Sequence, residues 1–506
     1  MLNRTSTLSS NSTWPRTPTS WGCAATSTRR DPMTQAVWFR NDLRIDDNPA
    51  LAAACSGDDP VIAIYIYTPE QQRKHQVGDT KLRFTLETLV HLKHDLSRLN
   101  IPLVALLGSD YDNSVQVLSK LVRQYGVRTV HANSELEFNE ARRDQHATRA
   151  LLQQHTQLRF HQDQTILAPT DVLTGEDTPY RVFTPFKRAW IHRAAQSNLA
   201  PLPAPGARRA IGMESTPDEE ILSWQAPTAA NAHWIAGSKQ AHQRLDKFTL
   251  QAIERYKSTR DFPALNCTSQ LSPYLAVGAI SLRSCLRQAL YANHYEWDSG
   301  NQGVLTWMSE LIWREFYKHL SFHYPELSKG VAFNPKTQSI PWSRNQTLLQ
   351  QWQSGQTGFP LVDAGMRQLN QTGWMHNRLR MVTAMFLTKQ LFIDWRLGEA
   401  YFMNRLIDCD YAANNGGWQW SASTGADAAP YFRVFNPIRQ SQRFDAQGEF
   451  IRAWVPELAQ LGPKQIHDPS PMERQLVGYP LPIVDHKSSV EHVKQAFKAA
   501  QAMETA

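Results

Sequence analysis

Four short apolar runs, separated by segments of helix length, occupy residues 36 to 165 and constrain the fold of this part of the chain. The runs at 36–39, 61–67, 101–107 and 128–131 have the length and composition of buried strands. Leucines recur every three or four residues from Leu82 to Leu99, which predicts an amphipathic helix between the second and third runs. Strands that alternate with helices predict a parallel, Rossmann-like sheet with helices on both faces. No G-x-G-x-x-G follows the first run, so a dinucleotide pyrophosphate is not expected at that turn.

The composition divides the chain into four segments. Residues 1–32 are rich in Ser and Thr, carry several Arg and lack the apolar core of a secretory signal. They are compatible with an organelle transit peptide or with an upstream start codon ahead of Met33, and we expect them to be disordered. Residues 33–165 form the expected α/β domain, and the Pro-rich residues 166–237 form a long interdomain connector. Helical patterns dominate residues 238–506, which predicts an all-α domain.

Composition excludes several classes of protein. No run of about 18 apolar residues occurs, which excludes a transmembrane helix and a membrane partner. Five scattered cysteines without a C-x-x-C pair argue against a disulfide framework or a zinc ribbon, so the expected compartment is the reducing cytoplasm. A net charge of +7 permits nucleic acid as a partner without requiring it.

The segment VLTWMSELIWREFYKHL places three chemically distinct residues on one helical face. Trp307, Glu310 and Arg314 are spaced i, i+3 and i+7, and Trp313 lies on the flank of that face. A carboxylate among Trp, Leu and Ile is costly to bury without a partner. The segment is therefore either a core helix with one Glu–Arg pair or part of a polar site.

Two further segments carry polar groups suited to a ligand. In GWMHNRLRM, Asn377 and Met381 are spaced i and i+4, so they either fill a core or line a pocket for a flat polar ring. In NCTSQLS, the hydroxyls of Thr268, Ser269 and Ser272 suit either a phosphate or simple helix capping.

The segment LIDCDYAANNGGWQWSA combines acids, amides, glycines and tryptophans. Asp408 and Asp410 lack a third acid or a His at ligand spacing, so we expect them to accept hydrogen bonds from a ligand or from Arg, with no metal bound. Residues 414–417 (NNGG) are interpreted as a tight turn that lets the backbone approach a partner closely. In the extended stretch expected after it, Trp418 and Trp420 would point to opposite sides. Together the four segments predict a helical domain with a large ligand pocket near a nucleic-acid surface, and they do not name the ligand.

Long strings of the sequence resemble the DNA photolyase and cryptochrome family, most closely the bacterial-type (class I) cyclobutane pyrimidine dimer photolyases. These strings are WFRNDLRIDDN, FTPFKRAW, ELIWREFYKHL, TGWMHNRLRM, IDWRLGEAYFM and DCDYAANNGGWQWSASTGADAAPYFRVFNP. The resemblance extends from Met33 to about His486. It implies an α/β antenna domain, a long connector and a helical domain that binds FAD in a U-shaped form.

The resemblance assigns an FAD site residue by residue. Thr268, Ser269 and Ser272 would contact the diphosphate, and Asp408 would pair with Arg380 beside the isoalloxazine ring. Asn414 resembles the residue that faces flavin N5, and Gln270 replaces a basic residue often found in this motif. The implied FAD-binding positions are Tyr256, Thr268, Ser269, Gln270, Leu271, Ser272, Trp307, Glu310, Arg314, Asn377, Arg380, Asp408, Cys409, Asp410 and Asn414.

The family's activity is light-driven repair, which makes the enzyme a carbon–carbon lyase. Photoexcited FAD in its reduced anionic form gives an electron to a flipped-out pyrimidine dimer, the cyclobutane ring splits, and the electron returns. The implied substrate is damaged DNA, single- or double-stranded, and one lesion per pocket suggests a monomer. The positions that match catalysis and DNA binding are Glu310 for the thymine edge, Trp313 and Trp420 for stacking, Asn377 and Met381 for the pocket lining, and Arg260 and Arg378 for flanking phosphates.

The resemblance implies two further sets of residues. Trp342, Trp395 and Trp418 match a chain of tryptophans that passes electrons from the surface to the flavin. The second set matches a site for a light-harvesting antenna, expected to be 5,10-methenyltetrahydrofolate, with a deazaflavin as the alternative. Its residues are His75, Asn139, Glu140 and Lys329, and Ser328 replaces a Cys found beside that Lys in a relative.

Two other activities within the family remain as alternatives. A (6-4) photolyase carries histidines where this chain has Asn377 and Met381, and His376 is expected to face elsewhere. A cryptochrome photosensor signals through partners; Asn414 is the photolyase-like choice, and the short stretch after Asp485 offers no long signalling tail. The residues therefore favour dimer repair.

Overall fold

The first part of the chain is a five-stranded parallel sheet, seen in a computed structural model that describes residues 34–503. The strand order is β3-β2-β1-β4-β5. The strands are β1 (Thr34–Phe39), β2 (Val61–Tyr67), β3 (Leu103–Leu107), β4 (Val127–Asn133) and β5 (Gln157–His161). The helices of this part are α1 (Pro49–Ala54), α2 (Pro69–Lys74), α3 (Asp79–Ser97), α4 (Tyr111–Gln124) and α5 (Phe138–Leu152). The interpretation of residues 1–32 lies outside the described residues.

Both faces of the sheet are buried, as expected for parallel strands between helices. Successive side chains of β1 point to opposite faces, so Val37 and Phe39 join one apolar cluster, whereas Ala36 and Trp38 join the other. All seven residues of β2 are buried. The α/β fold predicted from the sequence is confirmed.

Four of the five strands coincide with the predicted apolar runs, and the helix of recurring leucines is α3. Strand β5 was not predicted. Its sequence QLRFH lies at the sheet edge and is only partly buried, so it lacks the continuous apolar run of an inner strand.

The remainder of the described chain is helical. The connector contains α6 (Phe183–Ala194) and α7 (Asp218–Ser223). The helices that follow are α8 (Ser238–Gln251), α9 (Tyr256–Thr259), α10 (Ser272–Ala276), α11 (Leu282–Ala292), α12 (Gln302–His323), α13 (Gln346–Ser354), α14 (Pro360–Thr372), α15 (Asn377–Met385), α16 (Trp395–Arg405), α17 (Tyr411–Ala422), α18 (Pro437–Phe444), α19 (Glu449–Trp454), α20 (Pro471–Val477) and α21 (His486–Met503). A π-helical segment, Phe386–Gln390, continues α15. Between residues 34 and 503, no helix is both long and apolar enough to cross a bilayer.

The residues interpreted as a tight turn are helical instead, so that prediction is wrong. Residues 414–417 lie within α17, which begins after the N-cap Asp410. A Cβ on Gly416 would lie 2.1 Å from a ring carbon of Tyr317, so this glycine lets α17 pack closely against α12. The extended stretch expected at Trp418 and Trp420 is wrong as well, because both lie in α17, about 200° apart around its axis.

Ion pairs and close backbone contact join the α/β part to the helical part. Arg283 of α11 binds the carboxylate of Asp47 with an N–O distance of 3.0 Å. Arg44 donates to the carbonyl of Gly278, whose φ of +69° and lack of a Cβ permit contact with the backbone of Asn41. These contacts hold the α/β part and the helical part together, and a cavity described below lies between the two parts.

Candidate functional site

A cavity of about 500 Å³, here called the central cavity, lies among helices α9, α10, α12, α15 and α17. It is lined by every residue that the resemblance assigned to FAD. It is also lined by four residues assigned to the lesion or its DNA, namely Arg260, Trp313, Met381 and Trp420. Residues separated by more than 150 positions in the sequence therefore surround one space.

Helix α12 supplies one wall of the central cavity, as its spacing predicted. Trp307, Glu310 and Arg314 all face the cavity. The Glu310 carboxylate is paired with Arg260, which follows α9. Burial raises the pKa of Glu310, and the neighbouring Arg260 guanidinium opposes that rise. Glu310 is thus a partly buried carboxyl whose ion-pair partner, Arg260, is the residue that follows α9.

The two acids of the DCD segment have different surroundings. Asp410 caps α17 and also binds Arg314 at 2.9 Å and Lys318 at 3.0 Å. Burial alone would raise the pKa of Asp410, but these two cations outweigh it and hold the pKa well below its usual range. Asp408 accepts a hydrogen bond from Arg380 at 2.7 Å through Oδ2, while its buried Oδ1 has no hydrogen-bond partner. No cluster of three or more potential metal ligands occurs in residues 34–503.

This arrangement fits FAD. Asp408 and its partner Arg380 both line the cavity, and a carboxylate–guanidinium pair can accept hydrogen bonds from the polar edge of a flat ring and donate hydrogen bonds to it. At another part of the lining, Thr268, Ser269 and Ser272 supply hydroxyls beside the start of α10. Gln270 between them also lines the cavity and accepts a hydrogen bond from Arg244 at 2.8 Å. The cavity therefore combines a polar ring-binding wall with a hydroxyl-rich end.

Asn414 is held in place by a residue that the sequence reasoning missed. Its Nδ2 donates to the backbone carbonyl of Glu399 at 3.0 Å. The Glu399 carboxyl accepts from Asn415 Nδ2 at 2.9 Å, and burial raises the pKa of Glu399 to about 7. The signal in the sequence was an acid inside the apolar segment GEAYFM. Glu399 thus fixes Asn414 through its backbone carbonyl, while its carboxyl binds the neighbouring Asn415.

The two tryptophans assigned to lesion stacking both contribute to the lining of the central cavity. Trp313 and Trp420 are both half-buried and line it from different helices. One face of Trp313 is covered by Phe183 of the connector, with ring centroids 3.7 Å apart and planes 9° apart. The exposed parts of these two indoles are suited to stacking against flat rings.

The predicted helical neighbours Asn377 and Met381 both face the cavity from α15. Arg378 lies outside the lining; it binds Asp261 at 2.8 Å and stacks on Phe444 at 4.5 Å. His376 is buried as the N-cap of α15 and also lies outside the lining. The histidine is therefore directed away from the pocket, as expected.

The three tryptophans assigned to electron transfer have different positions. Trp418 is buried and lines the central cavity, packed against Gly398 of α16. Trp395 begins the same helix α16 and is fully buried, whereas Trp342 is half-buried and contacts Phe392 at 5.0 Å. The set therefore includes one indole at the cavity and one that reaches the surface.

A second cavity of about 410 Å³, here called the interdomain cavity, lies between the sheet and the helical part. His75, Asn139 and Glu140 line it, and a hydrogen bond of 3.0 Å joins His75 to Asn139. Burial and the nearby Glu137 and Glu135 raise the pKa of Glu140. Lys329 is outside the lining, and its ammonium lies 5.1 Å from the centre of the ring of Phe138, which does line it.

Comparison with known proteins identifies the family. A model described as "DNA photolyase" matches residues 35–206, and one described as "FAD binding domain of DNA photolyase" matches residues 307–499. The chain is 44% identical to a deoxyribodipyrimidine photo-lyase of Salmonella typhimurium over 473 residues, which cover 92% of this chain and 99% of that protein. The chain belongs to the DNA photolyase family. An Escherichia coli deoxyribodipyrimidine photo-lyase is 43% identical, with the same coverage.

A solved photolyase structure agrees with this fold. The crystal structure of a bacterial class III photolyase from Agrobacterium tumefaciens matches with a TM-score of 0.85 and 34% identity, covering 95% of this chain and all of that one. This chain is thus an enzyme of the deoxyribodipyrimidine photo-lyase class, with an FAD-binding domain and a role in DNA repair. Its photolyase class implies damaged DNA as the substrate.

Proposed function

We propose that this photolyase repairs cyclobutane pyrimidine dimers by light-driven electron transfer from reduced anionic FAD to a flipped-out dimer. The observation that carries the proposal is the shared central cavity. The residues suited to the flavin and the two tryptophan walls suited to the lesion line the same space, so donor and acceptor would be close to each other.

Stacking offsets the cost of bringing the lesion into the cavity. Flipping a damaged base out of the duplex costs a few kcal/mol, and photolyases are themselves among the enzymes for which this cost is described. Stacking on an aromatic side chain returns about 1–3 kcal/mol per base. Trp313 and Trp420 provide two such surfaces for the two joined pyrimidines.

Polar contacts would orient the dimer and its backbone. The Glu310 carboxyl would hydrogen-bond the pyrimidine edge, and burial at this position raises its pKa against the opposing effect of Arg260. Arg260 and Arg378 would bind the flanking phosphates. In the structure Arg260 is paired with Glu310, and Arg378 with Asp261. Binding a phosphate would therefore replace each of these carboxylates by a phosphate oxygen.

FAD, when bound, supplies the light-absorbing electron donor. Asp408 and Arg380 would hold its ring system, and Thr268, Ser269 and Ser272 its diphosphate. Asn414, fixed by the Glu399 carbonyl, would present its free amide oxygen to the ring. Trp418, Trp395 and Trp342 would carry electrons from the surface when the cofactor needs reduction.

We propose that the interdomain cavity holds the antenna, a 5,10-methenyltetrahydrofolate. The amide of Asn139 and the carboxyl of Glu140 supply donors and acceptors for a pterin-like ring. His75→Ala should release the chromophore from the purified protein, seen as loss of its absorption band. A deazaflavin spectrum in the purified protein would overturn the folate assignment.

A direct repair assay tests the enzymatic proposal. Reduced, FAD-loaded protein is mixed with UV-irradiated oligothymidine, and recovery of thymine absorbance is followed under blue light and in the dark. We expect recovery only in light, and a loss of at least tenfold in Trp313→Ala. Trp224→Ala is the matched control, because that tryptophan stacks on Tyr67 in the α/β part. No recovery from a bound dimer would favour a photosensor or another lesion.

A further inference from the structure

The connector, which the sequence alone indicates to be a spacer, contributes the aromatic ring of Phe183 to the proposed lesion site. Phe183 is the first residue of α6, is 7% exposed, and lies flat against Trp313. The 3.7 Å separation is the shortest among the aromatic pairs of the described residues. Phe316 contacts the edge of the same phenyl ring at 5.9 Å. Phe183 is therefore held in place on one side while it covers Trp313 on the other.

A hydrogen bond ties the same residue to the opposite wall. The N–H of Phe183 donates to Asp427 Oδ2 at 3.2 Å. Val182, the N-cap of α6, provides no side-chain cap, so Asp427 satisfies one of the free N–H groups of the first turn. Asp427 lies in the loop after α17, and that loop returns to Trp420 through a hydrogen bond of 3.2 Å from Ala429 N to Trp420 O.

Helix α6 is firmly docked, so it can act as a rigid support. Phe186 and Trp190 are each 1% exposed, and Trp190 Nε1 donates to Glu315 of α12 at 3.0 Å. One turn after Phe183, Lys187 donates to Ser309 Oγ at 3.3 Å, immediately before Glu310 in the chain. The helix thus follows α12 along the segment that carries Glu310 and Trp313.

We propose that Phe183 and Asp427 form a brace that sets the spacing between Trp313 and Trp420 and so act as positioning residues for the dimer. The inference rests on the proposed function of the central cavity. Trp313 has little freedom to rotate, because Phe183 covers one of its faces and Phe316 and Tyr317 also contact its ring. In the proposed complex a base would stack on the opposite face. Fixing a wall before the ligand arrives removes an ordering cost from binding, which makes the free site ready for two stacked pyrimidines.

The test uses FAD-loaded, full-length protein with the variants Phe183→Leu and Phe183→Tyr. Leu fills similar volume without a flat ring, whereas Tyr keeps the stack. We expect the Kd for oligothymidine containing a dimer to rise about tenfold in Phe183→Leu and less than twofold in Phe183→Tyr. The Kd for undamaged oligothymidine and the repair rate at saturating DNA should stay within twofold of wild type, a split that general misfolding would not produce.

A second pair of variants covers the case in which Phe183→Leu fails to fold. Asp427 is exposed, so Asp427→Ala leaves the core intact and should raise the Kd for the dimer about threefold. Asp427→Asn keeps an acceptor oxygen and should bind as wild type does. Wild-type affinity in Phe183→Leu or Asp427→Ala, or failure of Phe183→Tyr to bind, would overturn the brace. If wild-type protein itself does not prefer dimers over undamaged DNA, the proposed function fails and the brace fails with it.

Discussion

The two adjacent glycines of α17 should respond in opposite ways to the same substitution. A Cβ added at Gly416 would lie 2.1 Å from Cδ1 and 2.3 Å from Cε1 of Tyr317, whereas one added at Gly417 meets no heavy atom within 4 Å. Both residues lie inside the helix, so Ala has the same intrinsic advantage at each position. The difference between Gly416→Ala and Gly417→Ala therefore isolates the contact of α17 with α12.

The size of the effect follows from two opposing terms. Gly to Ala within a helix stabilises by about 0.5–1 kcal/mol. At Gly416 the phenol ring of Tyr317 must move by more than about 1 Å, and such overpacking costs about 1–3 kcal/mol. Gly417→Ala should thus gain about 0.5–1 kcal/mol, and Gly416→Ala should lose up to about 2.5 kcal/mol, which leaves it about 1–3 kcal/mol less stable than Gly417→Ala. Tyr317 also contacts Trp313 at 5.5 Å, so its displacement reaches the lesion wall.

Urea unfolding followed by tryptophan fluorescence measures both changes in free energy. The assay uses FAD-free protein, because Gly417 lines the cavity and a methyl group there would also meet the cofactor. Gly417→Ala is the matched control, one residue away on the same helix. Equal stabilities of the two variants would refute the reasoning, because the close approach at Gly416 would then have no energetic consequence.

Three other substitutions test single groups of the site. The pKa of Glu399 is raised from 4.5 to about 7, so folding favours the protonated form and the wild type should lose about 3 kcal/mol of stability as pH rises from 4 to 8. Glu399→Gln should lack this loss in urea unfolding, and parallel pH curves would contradict the burial argument. Asp408→Asn should weaken FAD binding about 10- to 100-fold, because an N–H replaces one carboxylate oxygen and the negative charge that pairs with Arg380 is lost. Unchanged affinity in a flavin fluorescence titration would refute this. Arg378→Ala should weaken DNA binding and lower the slope of log K against log salt by about one, and an unchanged slope would remove it from the phosphate contacts.

The sequence predicts those parts of the fold that depend on local periodicity. Leucines at helical spacing identify α3, and the i, i+3, i+7 pattern places Trp307, Glu310 and Arg314 on one face. The apolar run VIAIYIY identifies β2 because both of its faces are buried. In each case a single element carries its own signal.

Features that depend on a second element could not be predicted in this way. Gly416 is adjacent to Gly417, and only the position of Tyr317 explains why one of them is tightly packed. Phe183 belongs to a connector with little periodicity, and its role depends on a tryptophan 130 residues later. The partners of Glu399 come from another helix, so its pKa could not be inferred from its neighbours in the sequence. The assignment of the ligand depended on resemblance, because residue chemistry alone indicated only a large polar pocket.

A crystal structure of the FAD-loaded protein with dimer-containing DNA would show directly where the lesion binds. We expect the two joined pyrimidines inside the central cavity, stacked against Trp313 and Trp420, with the Glu310 carboxyl hydrogen-bonded to a pyrimidine edge. A dimer bound outside that cavity, or one that remains stacked in the duplex while repair proceeds in light, would contradict the proposed function.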